Sequence, residues 1–265
     1  MKNKQIVDFA VQRNYALSHD FTRLLLQADC KLPEIVPGQF VQVQIPSSLY
    51  GWLRIPLSIH YADVSKSQIG LLVQKVGDGS RFIAGLKEGE KVNLVLPLGN
   101  GFSLPEKENS VSEKPLRVLL AGGGCGLAPL YFLGMKLKEK DIPFTFLVGA
   151  KNKERLVLTQ ELEKLADTGI CTEDGSEGVK GLITAHPLWE QTDFSHVYTC
   201  GPTPMMKAVA QLAQKRGACC QVSLENKMAC GLGACLCCVT PTAGGHNTCV
   251  CTDGPVFDSR TLDWQ

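Results

Sequence analysis

Val118-Leu119-Leu120-Ala121-Gly122-Gly123-Gly124-Cys125-Gly126-Leu127-Ala128-Pro129 is the stretch on which the fold turns. A short apolar run enters a cluster of glycines, and a helical pattern marked by Leu130, Leu133 and Leu137 follows. Glycines there permit a tight turn and close approach of a pyrophosphate, which the free N–H groups of the following helix attract. The run is not a clean G-x-G-x-x-G, because Pro129 stands where the third glycine would be, a residue the first helical turn permits. Taken alone it also fits an ordinary tight turn. Further along, Phe144–Val148 and Val197–Thr199 read as buried strands, and Met205, Val209 and Leu212 mark another helix. Strands alternating with helices predict a parallel-sheet α/β domain over residues 112–217. Gly122, Gly124 and Gly126, with the turn Cys200-Gly201-Pro202, would then border the crevice where such sheets bind ligands.

Upstream, residues 1–104 have a different texture. Val41, Val43 and Ile45 alternate with Gln42 and Gln44, the period-two pattern of a half-buried strand. Short runs of the same kind recur at Ile6–Val11, Arg23–Ala28, Leu53–Tyr61, Ile69–Val76 and Lys91–Leu96, punctuated by Pro37-Gly38, Asp78-Gly79 and Gly99-Asn100-Gly101. This spacing predicts a small antiparallel barrel or sandwich. A short helix is expected after Ser80 as N-cap, with Phe82, Ile83 and Leu86 turned inward. Residues 103–115 are polar with two prolines and read as a linker.

Downstream, the cysteines dominate. Eight of the twelve lie between 219 and 251, and Cys230, Cys235, Cys238 and a later cysteine give C-x4-C-x2-C…C, the plant-type [2Fe–2S] spacing. Gly231, Gly233 and Ala234 offer a nearly bare backbone whose N–H groups can point at sulfur. A structural zinc site is the alternative, although zinc usually shows paired C-x2-C halves. Cys237 and Cys249 are spare by spacing, and His246 has no partner of the kind a Rieske site needs. Residues 218–265 hold too little apolar bulk to fold by burial alone and therefore require a staple.

At 265 residues the chain suits about two domains, with three in reach. Hydrophobic residues at 44% and charged residues at 20% exclude a disordered chain. A net charge of +1 advertises neither nucleic acid nor anionic lipid. No apolar run reaches the roughly 18 residues a membrane span needs, and Asp8, Gln12 and Arg13 interrupt any signal-peptide core. A soluble cytoplasmic protein is expected, in which reduced thiols favour metal or cluster ligation over disulfides.

These motifs, in this order, resemble the ferredoxin–NADP reductase superfamily. With a cysteine tail they resemble its dihydroorotate dehydrogenase B electron-transfer branch. The resemblance spans the whole chain and is most specific in Met228-Ala229-Cys230-Gly231-Leu232-Gly233-Ala234-Cys235 and Cys251-Thr252-Asp253-Gly254-Pro255-Val256-Phe257. Pro37-Gly38-Gln39-Phe40, Pro97–Phe102 and Asp174-Gly175-Ser176 share it. It implies an FAD-binding β-barrel, an NAD-binding α/β domain and a small [2Fe–2S] domain. It selects Cys251, not Cys249, as fourth ligand beside Cys230, Cys235 and Cys238. By the same resemblance Pro56, Leu57 and Ser58 line the isoalloxazine, and Val73, Gln74 and Lys75 contact the flavin nucleotide. Gly79 and Ser80 place a helix start at its pyrophosphate, and Asp174 joins the two glycine turns around the nicotinamide nucleotide. Ile55 stands where the family has arginine. Arg54 could compensate only if a bulge shifted the register, or else Lys75 or Arg81 would do so. The implied activity is passage of electrons through cluster and FAD to NAD+ from an FMN-containing catalytic partner oxidising dihydroorotate, with two copies of each chain. The residues left over cannot make the roughly 250-residue catalytic barrel that such chemistry would need. No side chain here is read as acid, base or nucleophile.

Three other readings remain at this stage. The chain could feed a different partner, as in a sulfide dehydrogenase or NADPH–ferredoxin oxidoreductase complex. It could be a zinc-stapled binding module, or a free-standing flavin reductase. The residues alone do not choose between NAD and NADP, since Lys151 and Lys153 follow the second strand where an acid would favour NAD; the resemblance favours NAD.

Overall fold

The computed structural model describes residues 4–46, 53–105 and 115–264. Strands β1 (Gln5–Ala16), β2 (Phe21–Ala28), β3 (Phe40–Val43), β4 (Ile55–Asp63), β5 (Gln68–Gln74) and β6 (Lys91–Leu98) close into an antiparallel barrel, in the order β1-β2-β5-β4-β3-β6. Alternation sends Val41, Val43, Ile59, Leu71, Leu94 and Leu96 into one fully buried interior. The short helix runs Asp78–Ala84 and begins earlier than expected, with Gly77 as its cap. Ser80 sits inside the first turn, where its Oγ accepts from the backbone N–H of Val76 (2.9 Å) and Gly77 (3.0 Å). It therefore secures the helix start from within, by reaching back to the residues that precede it.

The second unit is a seven-stranded sheet of order β10-β9-β8-β7-β11-β12-β15. Its members are β7 (Val118–Gly122), β8 (Phe144–Ala150), β9 (Thr168–Thr172), β10 (Val179–Lys180), β11 (His196–Cys200), β12 (Cys219–Ser223) and β15 (Val256–Asp258). All neighbouring pairs are parallel except β12 with β15. Leu130, Leu133 and Leu137 of the helix Leu127–Glu139 are fully buried, as their spacing predicts. In the helix Thr203–Lys215 the buried stripe is Met206, Val209, Ala210 and Ala213, which leaves Met205 free to line a cavity. The boundary at 217/218 needs correction. β12 pairs in parallel with β11 and completes the nucleotide sheet, so the tail proper starts beyond Ser223.

That tail has no separate core. A small hairpin, β13 (Val239–Pro241) with β14 (Asn247–Cys249), lies beside Cys238, Val250 and Cys251. These three share a buried cluster with Phe40 and Leu98 of the barrel and with Val222 of β12. Gln42, expected on the solvent face, is 1% exposed, because the tail covers the outside of β3. The helix Leu127–Glu139 closes the barrel on another side. It packs against β4, with Phe132 in the barrel's buried cluster and Tyr131 stacked on His60 at 4.4 Å between ring centroids. The linker expected at 103–115 falls mostly on residues 106–114, outside the described residues. Among the described residues no helix is long and apolar enough to cross a membrane.

Candidate functional site: a nucleotide cavity and a cysteine loop on one barrel

Strand order reverses beside β7: β8, β9 and β10 follow on one side, β11 and β12 on the other. Open α/β sheets bind ligands at the carboxyl ends of strands at such a point. There a cavity of about 650 Å³ is lined by Gly123–Gly126, Gly149–Lys151, Gly201, Pro202, Met205 and Glu225, with Phe21 and Gln74 reaching in from the barrel. It lies within the range usual for small-molecule sites. The glycines follow from crowding. A Cβ on Gly126 would overlap the carbonyl of Cys200, and one on Gly123 would stand 2.6 Å from the carbonyl oxygen of Gly149. Gly124 is different: its φ of +58° favours glycine, and the space before it is open. Gly124, Gly126, Gly201 and Pro202 line the cavity, while Gly122 lies outside its lining, packed against Leu130 and the Cys200 carbonyl.

Two thiols stand at the same end. Cys125 Sγ donates to Gln74 Oε1 at 3.4 Å, and burial pushes the thiol up to about 12. Burial holds Cys200 well above the usual thiol range as well, so both are uncharged at neutral pH. Glu225, which also lines the cavity, has its carboxyl raised by burial. Motif reading missed Glu225; the available signal was an acid directly after an apolar strand end. Asp174 turns elsewhere. Its Oδ1 accepts from Ser176 Oγ (2.6 Å) and Ser176 N–H (2.9 Å), bonds that hold its carboxyl below the usual range, while Glu173 faces the cavity. Lys153 is paired with Glu177 at 2.9 Å, and Lys151 lines the cavity.

On β4, Ile55, Leu57 and Ile59 pack with the barrel interior, which leaves Pro56 and Ser58 on the opposite, outer face. β3 and β4 pair Gln42 with Pro56 and Phe40 with Ser58, without a bulge over this stretch; the irregularity in β4 falls between Ile59 and Tyr61. No register shift between Ile55 and Ser58 lets Arg54 take the place of Ile55, the first of the three compensations considered. Arg54 already shares the face of Pro56 and Ser58, but its guanidinium crosses β3 instead. It donates to Gln42 O (3.3 Å), Asn93 O (3.1 Å) and Asn93 Oδ1 (2.6 Å). Val73 is fully buried inside the barrel, so only its backbone can meet a ligand. Lys75 Nζ donates to His19 O at 3.0 Å, and Arg81 lies 3.6 Å from Asp78. Gly79 sits so close to Ile55 that a side chain there would overlap it.

The cysteine loop lies one strand away. Gly231, at φ +66°, presses on the Gln42 side chain: a Cβ there would stand 2.9 Å from Gln42 Cγ and 3.0 Å from Nε2. Asn100 ties the far side by donating to the tail, from its backbone N–H to Gly254 O (2.6 Å) and from Nδ2 to Thr252 O and Asp253 O (3.0 Å each). The four expected thiols stand as two pairs. Cys230 and Cys235 exchange N–H···S bonds of 3.5 and 3.4 Å, and Cys251 N–H donates to Cys238 Sγ at 3.4 Å. Leu232 N–H adds a second donor to Cys230 Sγ at 3.3 Å. Burial opposes the Cys230 thiolate, yet these donors prevail and bring its pKa down to about 6. Two pairs of thiols fed by backbone donors suit two metals bridged by sulfide. Gln42 adds a tension: buried beneath the loop, its Oε1 and Nε2 both lack partners, each at a cost of roughly 1–3 kcal/mol.

Known proteins align with both halves of this arrangement. Residues 225–263 match the family model described as the iron-sulfur cluster binding domain of dihydroorotate dehydrogenase B, and residues 120–211 match an oxidoreductase NAD-binding domain. The chain is 36% identical over 244 residues to a protein of Shouchella clausii named dihydroorotate dehydrogenase B (NAD(+)), electron transfer subunit, covering 91% of this chain and 92% of that one. The same name belongs to a Geobacillus protein 35% identical over 259 residues, covering 97% of both chains. Among solved structures, an NADH-dependent reduced ferredoxin-NADP oxidoreductase superposes with a TM-score of 0.84 at 29% identity, over 97% of this chain and 90% of that one. A ferredoxin NADP+ reductase from Neisseria gonorrhoeae shares the fold, with a TM-score of 0.64 at 15% identity over 80% of this chain and 92% of that one.

Proposed function

This chain belongs to the family of electron transfer subunits of dihydroorotate dehydrogenase B, and on that premise we propose how its residues divide the work. Its activity is that of an oxidoreductase subunit, passing electrons to NAD+ while a catalytic partner handles dihydroorotate. When bound, FAD accepts electrons singly and releases them as a pair, the [2Fe–2S] cluster carries one at a time, and NAD+ takes up hydride.

In our reading Cys230, Cys235, Cys238 and Cys251 would hold the two-iron cluster through their thiolates. Pro56 and Ser58 give the flavin ring its wall, Gln74 meets the flavin nucleotide, and Leu57 supports that wall from the barrel interior. Gly122, Gly124, Gly126, Cys200, Gly201 and Pro202 seat the dinucleotide, with Lys151 and Glu173 at its far end. Asp174 serves by shaping the turn that presents Glu173. No side chain is assigned as acid, base or nucleophile, consistent with the neutral thiols of Cys125 and Cys200. Arg54, hydrogen-bonded to Asn93, supports the barrel wall on the cluster side, so we propose that backbone N–H groups near Gly79 and Ser80 receive the flavin phosphates.

The observation that carries this reading is the docking of the cysteine loop on β3, the strand paired with β4. Neighbouring strands lie about 4.8 Å apart, which supports a reading with the cluster loop and the flavin wall side by side. We propose that the partner carries FMN, that two copies of each chain assemble, and that the complex is cytoplasmic. Twelve free cysteines accord with a reducing compartment. Anaerobically purified chain should contain FAD, iron and acid-labile sulfide, and should reduce dyes with NADH while leaving dihydroorotate untouched until the partner is added. Dihydroorotate turnover by the isolated chain, or zinc in place of iron, would overturn the assignment.

A further inference from the structure

Among the described residues, His60 and Thr199 each leave one buried side-chain polar atom without a partner, whereas Gln42 leaves both of its own. It sits on β3 with its side chain turned away from the barrel interior, 1% exposed, and neither amide atom has a partner. Its carboxamide lies against Gly231, in the loop between Cys230 and Cys235. On its own strand ladder it faces Pro56, on the stretch we assign to the flavin wall. Asn93, the nearest outer-face amide on β6, is already taken by Arg54 and by Asp8, whose Oδ1 accepts from Asn93 Nδ2 at 2.6 Å. A buried amide without partners is uncommon and points to an acceptor that the polypeptide alone does not supply.

We propose that Gln42 tunes the iron–sulfur centre: its carboxamide N–H donates to a sulfur of the two-iron group held by the Cys230–Cys238 loop, tying that group to the strand beside the flavin wall. The proposal rests on the cluster assignment above. Hydrogen bonds to sulfur stabilise the reduced, more negative cluster, and they are among the levers that set its potential. Backbone donors already serve Cys230, Cys235 and Cys238 from within the tail. Gln42 would be the donor that belongs to the barrel, so that the centre's potential depends on the tail being seated.

The test is an EPR-monitored redox titration of the holoprotein and its variants, with iron and sulfide counted on each. Gln42→Leu, near in volume and without polar atoms, should make reduction of the cluster about tenfold less favourable, a shift of about 59 mV to more negative potential for one electron. Gln42→Glu, with a negative charge in place of the donor, should shift it further in the same direction. In both the flavin potential should hold. A Gln42→Leu cluster potential equal to that of the unaltered protein, at full iron, would overturn the proposal. If the variants fold poorly or lose iron, pulsed EPR of the unaltered protein, labelled with ¹⁵N at glutamine side-chain amides, decides the matter. A nitrogen coupling to the reduced cluster supports the proposal, and its absence refutes it. Unaltered protein without two irons and two sulfides per chain would remove the cluster assignment itself, an outcome separate from a silent Gln42.

Discussion

Two seams hold the barrel, and they are built differently. Against the nucleotide domain the seam closes with what the chain provides: Phe132 packs into the barrel's buried cluster, Tyr131 stacks on His60, and Arg155 pairs with Asp20 at 2.6 Å. Against the cysteine tail, Phe40 and Leu98 share a buried cluster with Cys251, and Asn100 donates to three tail carbonyls. Yet the Gln42 side chain beneath Gly231 has no partner, and the thiols receive long N–H···S bonds. The first seam rests on packed rings and an ion pair, with His60 Nδ1 alone of these groups buried without a partner. The other is finished by its inorganic contents, as in proteins where metal binding contributes to folding.

The comparison breaks most visibly if the tail seam is emptied. Cys251→Ala should abolish iron binding and reduce electron flow between the partner and NAD+ by more than the roughly 10–100-fold typical of losing an outer-shell group. NADH-dependent dye reduction through the flavin should survive, as iron assays and the two activities measured side by side would reveal. Gly99→Val attacks the same seam mechanically. Gly99 has φ +72°, and a Cβ there would overlap Pro255, so the change should cost about 2–4 kcal/mol and release iron while flavin stays bound. Retention of iron at an unchanged Tm would show that the tail is seated elsewhere.

For the nucleotide seam the sharper probe is pH. Burial lowers the His60 pKa to about 3 in the fold, against about 6.5 when unfolded. The unfolded chain thus binds the extra proton between those values, so His60 contributes stability above about pH 6.5 that is lost as pH falls, at up to about 1.4 kcal/mol per pH unit. His60→Phe keeps a ring on Tyr131 and should flatten that slope in Tm measured from pH 7 to 4.5; an unaltered slope would place the acid sensitivity elsewhere. Smallest of all, Asp20→Asn removes a solvent-screened ion pair with Arg155 and should lower Tm by no more than about a degree or two at low salt, a difference that vanishes at high salt.

Legibility in the sequence followed range. Leu130, Leu133 and Leu137 declare a helix face because their partners lie on an adjacent strand, and the glycines at 122–126 announce a turn whatever surrounds it. The spacing of Cys230, Cys235 and Cys238 likewise signals its chemistry locally, whereas only the family resemblance singles out Cys251, and the pairing of the thiols was not read. Gln42 could not be read: its alternation with Val41 and Val43 is that of a half-exposed strand, and only a tail some 190 residues later in the chain buries it. β12 was hidden for the opposite reason, since its two cysteines drew it toward the tail although its hydrogen bonds belong to β11. Ser80 has the composition of a cap but lies three residues into the helix, a displacement of the kind local patterns resolve poorly.

β15 lies beyond the last cysteine and runs antiparallel along β12, with Val256, Phe257 and Asp258 opposite Ser223, Val222 and Gln221. An uncovered border strand in a sheet is a template for other chains. Loss of the last dozen residues, by nicking or by a premature stop, would accordingly do more than spoil a redox centre. It would bare amides and carbonyls along Gln221–Ser223 and leave β12 as an open edge on which other chains could pair, a hazard that the short closing strand removes.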